Sequence, residues 1–207
     1  MEQRQTATGR PTRDRSAATT QRLLDTARLI FGQRGFAGTS IEDIAATMRC
    51  SKHTIYHRYA HKMALLEAVV ERDRSGFVAA LATAAKACDT PLDRLRAVAR
   101  AYFGFSADPA YAALYAAIML EASSSPAMRQ HLGQWAETSL APIRQSIEAA
   151  APFAGWDMTR QHELCALLID LLDGEARRLN WAAVPHGGAS IEQHFEQRWQ
   201  VFLRASL

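Results

Sequence analysis

The sequence predicts an all-α protein, and three observations support this prediction. Ala, Leu, Arg, Glu and Gln, which favour helices, dominate the 207-residue chain. Alternating runs of β-branched residues and Asn-Gly turns, which would indicate strands, are missing from the sequence. Apolar residues instead recur at helical spacing, as in Leu23, Ala27, Ile30 and Phe31. We therefore expect an N-terminal three-helix unit followed by a larger, entirely helical unit.

Positive charge is concentrated in the first third of the chain. Residues 1–62 hold 11 Lys and Arg against 5 Asp and Glu, a balance of +6, whereas residues 63–207 hold 13 against 16, a balance of −3. Only the N-terminal part therefore favours a polyanion. No apolar run reaches the length of a membrane span, and the polar, basic start does not have the pattern of a secretory signal. We expect a cytoplasmic protein that does not associate with membranes.

The three cysteines, Cys50, Cys88 and Cys165, are far apart and show no metal-binding spacing with histidine. We expect buried, unreactive thiols and neither a metal nor a cofactor. Cys50 is the one cysteine placed where oxidation would affect a function, because it lies within the motif described next.

Residues Ser40 to Tyr59 have the pattern of a helix-turn-helix. A first helix ends at Gly35, and Ser40 with Asp43 can form a capping box that begins the second helix. After a break of three residues, Ser51 can cap a short third helix. Two short helices joined by a tight turn on the basic part of a chain are typical of proteins that insert the second of these helices into the major groove of DNA.

The composition of the third helix favours this interpretation over that of an ordinary surface helix. The stretch from Ser51 to Tyr59 combines Lys, His, Thr, Tyr and Arg with no acidic residue. A plain surface helix is also polar, but it rarely has this bias over nine residues. We expect Ile55 and Tyr59 to point inward and the opposite side to face DNA.

The stretch from about residue 17 to residue 70 resembles the N-terminal domain of the TetR (tetracycline-repressor-type) regulators. The positions that carry the resemblance are Ala27, Phe31, Gly35, Phe36, Thr39, Ile44, Ala45, Ser51, Thr54, Ile55, Tyr56, Tyr59, Lys62 and Leu65. The resemblance implies an all-helical homodimer that binds double-stranded DNA at a palindromic operator. It further implies a repressor that leaves the operator when a small-molecule effector binds the C-terminal domain.

The predicted DNA contacts fall into two groups. Thr39 and Ser40, at a helix N-terminus, and the charged Lys62 can hold phosphates, and the resemblance gives Tyr56 the same role. Lys52, His53, Thr54 and His57 are expected to face base edges, while Arg58 can lie on either the phosphate or the solvent side. The complete predicted set is Thr39, Ser40, Ser51, Lys52, His53, Thr54, Tyr56, His57, Arg58 and Lys62. Arg10, Arg13 and Arg15 of a disordered arm can also reach the duplex.

Three departures from the family pattern affect this region. Arg49 stands where the turn usually has Gly, and a positive φ at a non-glycine residue costs about 1 kcal/mol. Ala60-His61 replaces the usual Pro-Ser before the fourth helix, and therefore lacks a strong cap. His53 replaces a small residue, which we expect to change the preferred DNA sequence.

The sequence predicts three regions: a basic disordered arm (1–16), a DNA-binding domain (17–62) and an effector-binding and dimerisation domain (63–207). In the last of these we expect a fourth helix and then helices over about 92–106, 109–123, 126–150, 158–183 and 190–205. By analogy with the family, the final two helices form a four-helix bundle with a second chain, although their apolar stripes are also compatible with ordinary monomer core. A twofold dimer would place its recognition helices about 34–36 Å apart.

Aromatic residues and methionines between residues 102 and 135 give a candidate effector pocket for a small, mostly apolar or aromatic molecule. Most of these side chains are compatible with an ordinary hydrophobic core, but several could add polar groups to an apolar pocket wall. The predicted pocket residues are Tyr102, Tyr115, Met119, His131, Trp135, His162 and Cys165.

An enzyme and a ligand-binding protein that does not bind DNA are the two alternative function classes. An enzyme would require a site, and the sequence contains no nucleophile elbow, zinc-protease motif, phosphate loop or dinucleotide glycine pattern. His162 with Cys165 is the arrangement that comes closest to a catalytic site, and we expect that the protein is not an enzyme. An all-α ligand-binding protein without DNA binding is supported only by Arg49 and His53.

Overall fold

The computed structural model describes residues 13–86, 88–181 and 190–206, and the side chains of residues 16–86, 88–157, 159–181 and 190–206. Over these ranges it consists of helices and loops without a strand, which confirms the predicted all-α class. The helices are α1 (Arg13–Arg34), α2 (Ile41–Met48), α3 (Lys52–Tyr56), α4 (Lys62–Lys86), α5 (Pro91–Ser106), α6 (Pro109–Ser124), α7 (Pro126–Ala154), α8 (Gln161–Asn180) and α9 (Ile191–Ala205).

Local sequence signals set most helix starts. Ser40 and Asp43 form the predicted reciprocal capping box at α2, and Ser190 with Gln193 forms another at α9. At α5, the Thr90 side chain accepts a hydrogen bond from the Asp93 backbone, followed by a proline in the first turn. These starts depend on residues three positions apart, which is why the sequence predicts them.

The structure differs from the sequence prediction at two helix starts. Arg13 to Ser16 belong to α1, although the predicted arm extends to residue 16, and residues 1–12, including Arg10, lie outside the described residues. His61 Nδ1 accepts a hydrogen bond of 3.0 Å from the Ala64 backbone, so α4 does have a side-chain cap, although histidine is not one of the strong capping residues. A histidine ring nitrogen can substitute for the usual serine oxygen because its neutral form has an acceptor lone pair.

Buried apolar side chains form two clusters. The first, here called the C-terminal core, joins α4, α5 and α7–α9. The second, here called the N-terminal core, joins α1–α4 but also includes Leu114, Ile118 and Ala122 of α6 and Met128 of α7. The N-terminal three-helix unit therefore packs on α6 of the larger unit through α1.

The apolar stripes of α8 and α9 belong to the interior of the single chain. Leu164, Leu168 and Leu172 of α8 are buried in the C-terminal core. Phe195, Trp199 and Phe202 of α9 are buried there too. The alternative of ordinary monomer core therefore applies to these residues, and any surface for a second chain must come from the other faces of these helices.

Candidate functional site

The turn between α2 and α3 has a left-handed residue at Arg49. Its φ of 53° and ψ of 46° place it in the region that favours glycine, and it is the one non-glycine residue with a positive φ in the described ranges. The backbone N–H of Cys50 then donates to the Ala45 carbonyl oxygen at 3.0 Å, closing the end of α2. Of the two outcomes that the sequence leaves open, a differently shaped turn and a strained one, the positive φ of Arg49 favours the strained turn.

Helix α3 is anchored by one apolar side chain and presents polar groups outward. Ile55 is completely buried in the N-terminal core, while Ser51 Oγ accepts a 3.2 Å hydrogen bond from the Thr54 backbone and so caps the helix. His53, Tyr56 and His57 are exposed. The structure therefore gives α3 the orientation that the sequence predicted, with Ile55 inward and the donor groups outward.

Lys52 is exposed but paired. Its Nζ lies 2.6 Å from Glu42 Oε1 of α2, and both side chains are more than half exposed. An exposed pair of this kind contributes little stability, because water and salt screen it. A phosphate or a base-edge acceptor can compete with Glu42 for the ammonium group.

Several predicted phosphate-binding groups have partners inside the protein. Thr39 is 2% exposed and its hydroxyl donates to the Gly35 carbonyl at 2.7 Å, so the expectation of a hydroxyl directed at phosphate was wrong. The Ser40 hydroxyl donates to the Asp43 carboxylate at 2.6 Å as part of the capping box. The hydroxyl hydrogen of Ser40 is therefore already used in a hydrogen bond within the protein.

Lys62 and Arg58 also make internal contacts. Lys62 Nζ donates to the Phe36 and Thr39 carbonyl oxygens at 2.7 and 2.8 Å, and lies 4.3 Å from the centre of the Phe36 ring. Arg58 is half-buried and donates to the Thr54 carbonyl oxygen. Lys62 thus closes the loop between α1 and α2, and only one of its three N–H groups remains for a phosphate.

The larger unit encloses a cavity of about 680 Å³ between α4 and α8, with the exposed Trp181 at its edge. Its walls are mainly apolar and aromatic, a typical lining for a site that binds a small molecule. Tyr111 and Tyr115 of α6 stack with ring centres 6.2 Å apart and planes inclined by 7°. Phe77 of α4 meets Tyr102 of α5 edge-on at 5.7 Å.

One carboxylate lies in this apolar wall. Asp173 Oδ1 accepts hydrogen bonds from the Tyr102 hydroxyl at 2.8 Å and from the Ser106 hydroxyl at 3.1 Å. Burial raises the pKa of Asp173, and these two hydrogen bonds partly oppose the rise. Burial also raises the pKa of Tyr111 to about 12. The cavity thus combines mainly apolar walls with the acceptor carboxylate of Asp173 and several phenol groups.

A second cavity carboxylate links the two units. Asp73 of α4 lines the cavity, and its Oδ2 lies 2.5 Å from Arg28 Nε of α1. Arg72 reaches Asp25 of α1 at 2.6 Å, so α4 is joined to α1 by two ion pairs. Side-chain contacts therefore connect the cavity wall with the helix that carries the helix-turn-helix.

Residues 23–69, which form most of α1, all of α2 and α3 and the start of α4, match the family model described as bacterial regulatory proteins, tetR family. This part of the chain therefore matches the N-terminal, DNA-binding domain of TetR-family regulators. Among curated proteins, none matches its sequence.

Several solved structures share the fold of this protein over nearly the whole chain. A TetR-like transcriptional regulator from Rhodococcus sp. RHA1 is 23% identical with a TM-score of 0.71, covering 95% of this chain and 98% of that one. A transcriptional regulator from Saccharomonospora viridis in complex with choline is 17% identical with a TM-score of 0.73, covering 89% and 95%. The ketosteroid transcriptional regulator of Mycobacterium tuberculosis is 17% identical with a TM-score of 0.67, covering 90% and 93%.

The predicted pocket residues divide into two groups. Tyr102, Tyr115, Met119 and Trp135 line the cavity. The remaining three, His131, His162 and Cys165, do not, and those predictions were wrong.

Each of the three lies elsewhere for a clear reason. His131 Nε2 is 3.6 Å from Glu67 Oε1, so its ring faces α4 outside the cavity. His162 is exposed on α8, whereas Cys165 is buried in the C-terminal core, where burial raises the pKa of its thiol. Positions three apart on one helix thus have quite different surroundings.

The sequence analysis missed Asp173, Tyr111 and Asp73 as cavity residues. Asp173 had a signal that could have been used, because it lies four residues after the cavity residue Ile169 on the same helix face. Tyr111 belonged to the aromatic cluster that the sequence shows. The sequence contains no signal that would place Asp73 in the cavity, because its position depends on how α4 crosses α1.

The described residues include neither a membrane-spanning helix nor a cluster of metal-binding side chains. No described helix is long and apolar enough to cross a membrane. No group of three His, Cys, Asp or Glu side chains is placed to hold a metal ion in the part of the chain that the structure describes.

Proposed function

We propose that this protein is a TetR-family regulator that binds a palindromic DNA operator as a homodimer and is released when a small, mostly apolar or aromatic effector occupies the cavity. In this proposal it acts as a repressor in the cytoplasm and has no enzymatic activity. The observation that carries the proposal is that the cavity and the helix-turn-helix share helix α6.

Helix α6 contributes to both sites at once. Leu114 and Ile118 pack in the N-terminal core with α1, while Tyr111, Tyr115 and Met119 line the cavity. Gly32 of α1 comes so close to α6 that a Cβ atom there would lie 3.4 Å from the Leu114 nitrogen. Because closely packed helices move together rather than deform, a ligand that displaces α6 also displaces α1 and the recognition helix.

The ligand part of the proposal is supported by the cavity and by one relative. A volume of about 680 Å³ falls in the range of cavities that hold drug-sized molecules. The structure from Saccharomonospora viridis, which shares the fold, contains the small molecule choline.

The dimer part is supported by apolar groups that the single chain leaves exposed. Ile191 and Val201 of α9 are 57% and 41% exposed, and Trp181 at the end of α8 is 81% exposed. Exposed apolar side chains on two adjacent helices can be covered by a second copy of the chain. Light scattering after size-exclusion chromatography should give about twice the mass of one chain.

The DNA-binding proposal keeps the predicted base-reading residues of α3 and its C-terminal cap, among which Thr54 is half-buried, and revises the rest. Lys52, His53, Thr54 and His57 remain the proposed base-reading residues, with Tyr56 on a phosphate. Ser51 serves mainly as the cap of α3. Lys62 has one N–H to offer beyond its internal bonds, whereas the hydroxyl and the backbone N–H of Ser40 both donate to Asp43. Arg58 supports α3 from the side of α1.

The test begins by selecting the operator from a random DNA library with the full-length protein. We expect two inverted half-sites spaced by about one helical turn, with affinity that falls steeply with salt. Lys52→Ala and Thr54→Ala should reduce the preference for the selected sequence, whereas the control Lys86→Ala, at an exposed lysine far from α3, should not. Sequence-specific binding that these α3 variants leave intact would exclude α3 as the recognition helix. Ligand binding by a protein that binds no DNA would instead favour the alternative of a ligand-binding protein.

A further inference from the structure

Asp173 differs from the other inward-facing carboxylates because no cation in the described ranges forms an ion pair with its carboxylate, although the charge of Arg177 acts on it from a greater distance. Asp73, whose side chain is 13% exposed, pairs with Arg28 and Arg72. Glu175, whose side chain is 3% exposed, pairs with Arg178, His194 and Arg198. Asp173 has only the neutral donors described above, and both bond to the same oxygen, Oδ1.

A largely buried carboxylate without a cation is costly, since buried charges are normally paired. The second oxygen of Asp173, Oδ2, makes no hydrogen bond to the described residues, and the side chain lines the cavity. We propose that Asp173 is the binding subsite for a protonated amine, so that the effector has an ammonium group on an apolar or aromatic body. This inference rests on the proposed function, because it assigns the chemistry of the effector.

The two arginines nearest to this subsite do not neutralise it. Arg177 is exposed, and its Nε donates to the backbone carbonyl of Asp173 rather than to the carboxylate. Arg74 is held by Glu71 through two hydrogen bonds of 2.8 and 2.6 Å. An ammonium group of the ligand would therefore meet an acceptor whose charge is still available.

The aromatic surroundings favour the same ligand class. The negative charge of Asp173 contributes to the raised pKa of Tyr102, Tyr111 and Tyr115, which places all three phenols within its field. Tyr111 and Tyr115 offer ring faces that attract a cation, and Phe77 and Trp135 provide further walls for its apolar body. An anionic ligand would face both the carboxylate and the electron-rich rings.

The test uses three probes with the same body and different head groups: 4-phenylbenzylamine, biphenyl-4-methanol and biphenyl-4-carboxylate. Isothermal titration calorimetry with the full-length protein at pH 7 should give a Kd for the amine about tenfold lower than for the alcohol, because a charge-assisted hydrogen bond replaces a neutral one. The carboxylate should bind most weakly. This comparison needs no variant and therefore does not depend on how a substitution folds.

Asp173→Asn then assigns the preference to one group. It should weaken amine binding about tenfold and leave alcohol binding nearly unchanged. Asp170→Asn is the matched control, because it removes the same charge from an exposed position of the same helix that does not line the cavity. The control should bind all three probes as the unchanged protein does.

Three results would overturn the amine subsite. They are equal binding of amine and alcohol, a failure of the amine to bind at millimolar concentration, and the same loss for both probes in Asp173→Asn. A separate readout, release of the selected operator in a gel-shift assay, distinguishes this inference from the proposed function. Tight amine binding without release contradicts the proposed function alone, whereas release by a neutral ligand with no amine preference contradicts the subsite alone.

Discussion

Arg28 Nε of α1 lies 2.5 Å from Asp73 Oδ2 of α4, and the Asp73 side chain lines the cavity. The two side chains are 23% and 13% exposed, so solvent screens the pair less than it screens a surface ion pair. This pair directly connects the wall of the cavity with α1, the helix that precedes the helix-turn-helix. Its strength therefore bears on both stability and the proposed release mechanism.

We expect a double-mutant cycle on this pair to give a coupling free energy of about 1–2 kcal/mol, because its groups are largely removed from water. The variants are Arg28→Ala, Asp73→Ala and the double variant, measured by urea denaturation. Arg100 and Glu192 provide a matched control, since their Nε–Oε2 distance is also 2.5 Å but both side chains are about half exposed. The control cycle should show no resolvable coupling. Similar coupling in the two cycles would mean that burial does not strengthen the Arg28–Asp73 pair.

Arg49→Gly should stabilise the protein by about 1 kcal/mol, because glycine adopts the positive φ of this position without the steric cost that arginine pays. Arg49→Ala is the control, since it removes the same charge but retains a Cβ atom. Thermal and urea denaturation should show the gain for glycine only. DNA affinity should fall equally in both variants if Arg49 contributes charge to the interface, and an equal stability of the two variants would contradict the strain at this turn.

Lys62→Met should destabilise the protein by about 1.5–3 kcal/mol and weaken binding to all DNA sequences alike. The change removes the donors to the Phe36 and Thr39 carbonyl oxygens, and hydrogen bonds from a charged donor are among the stronger ones. Lys52→Met, at an exposed lysine, should leave the free energy of unfolding unchanged and alter sequence preference instead. Urea denaturation and binding to matched and scrambled operators separate these two outcomes. A Lys62 variant of normal stability would show that the internal bonds are dispensable.

Glu175→Gln should destabilise the protein by about 3 kcal/mol at pH 7, because it leaves Arg178, Arg198 and His194 without their common counter-charge. Burial acts to raise the pKa of Glu175, but these cationic neighbours outweigh it and lower the pKa below its ordinary value of 4.5. The stabilisation is therefore complete above pH 4.5 and is lost as pH falls through the lower pKa of the folded state.

Urea denaturation of both proteins between pH 7 and pH 3.5 tests this dependence. The difference in free energy of unfolding should be constant at neutral pH and should shrink only in the acidic part of the range. A difference that shrank on going to higher pH would contradict the sign of the linkage.

The sequence by itself determined the features that depend on neighbouring residues. Ser40 with Asp43, Ser51 with Thr54 and the left-handed Arg49 are all set by hydrogen bonds and backbone geometry within a few positions. The helical period likewise fixes Ile55 as the buried anchor of α3. Local interactions of this kind are the same in any tertiary context, so pattern and spacing are sufficient to predict them.

Only the tertiary structure decided which side chains share the cavity and which are internally bonded. Tyr102 and Asp173 are 71 residues apart and meet because α5 and α8 pack together. Lys62 is 23 residues from Thr39, and its charge points at that carbonyl oxygen because α4 crosses the end of α1. A titratable group is assigned to a cavity, a core or a surface by helix packing, and helix packing depends on shape complementarity among many side chains rather than on any local pattern.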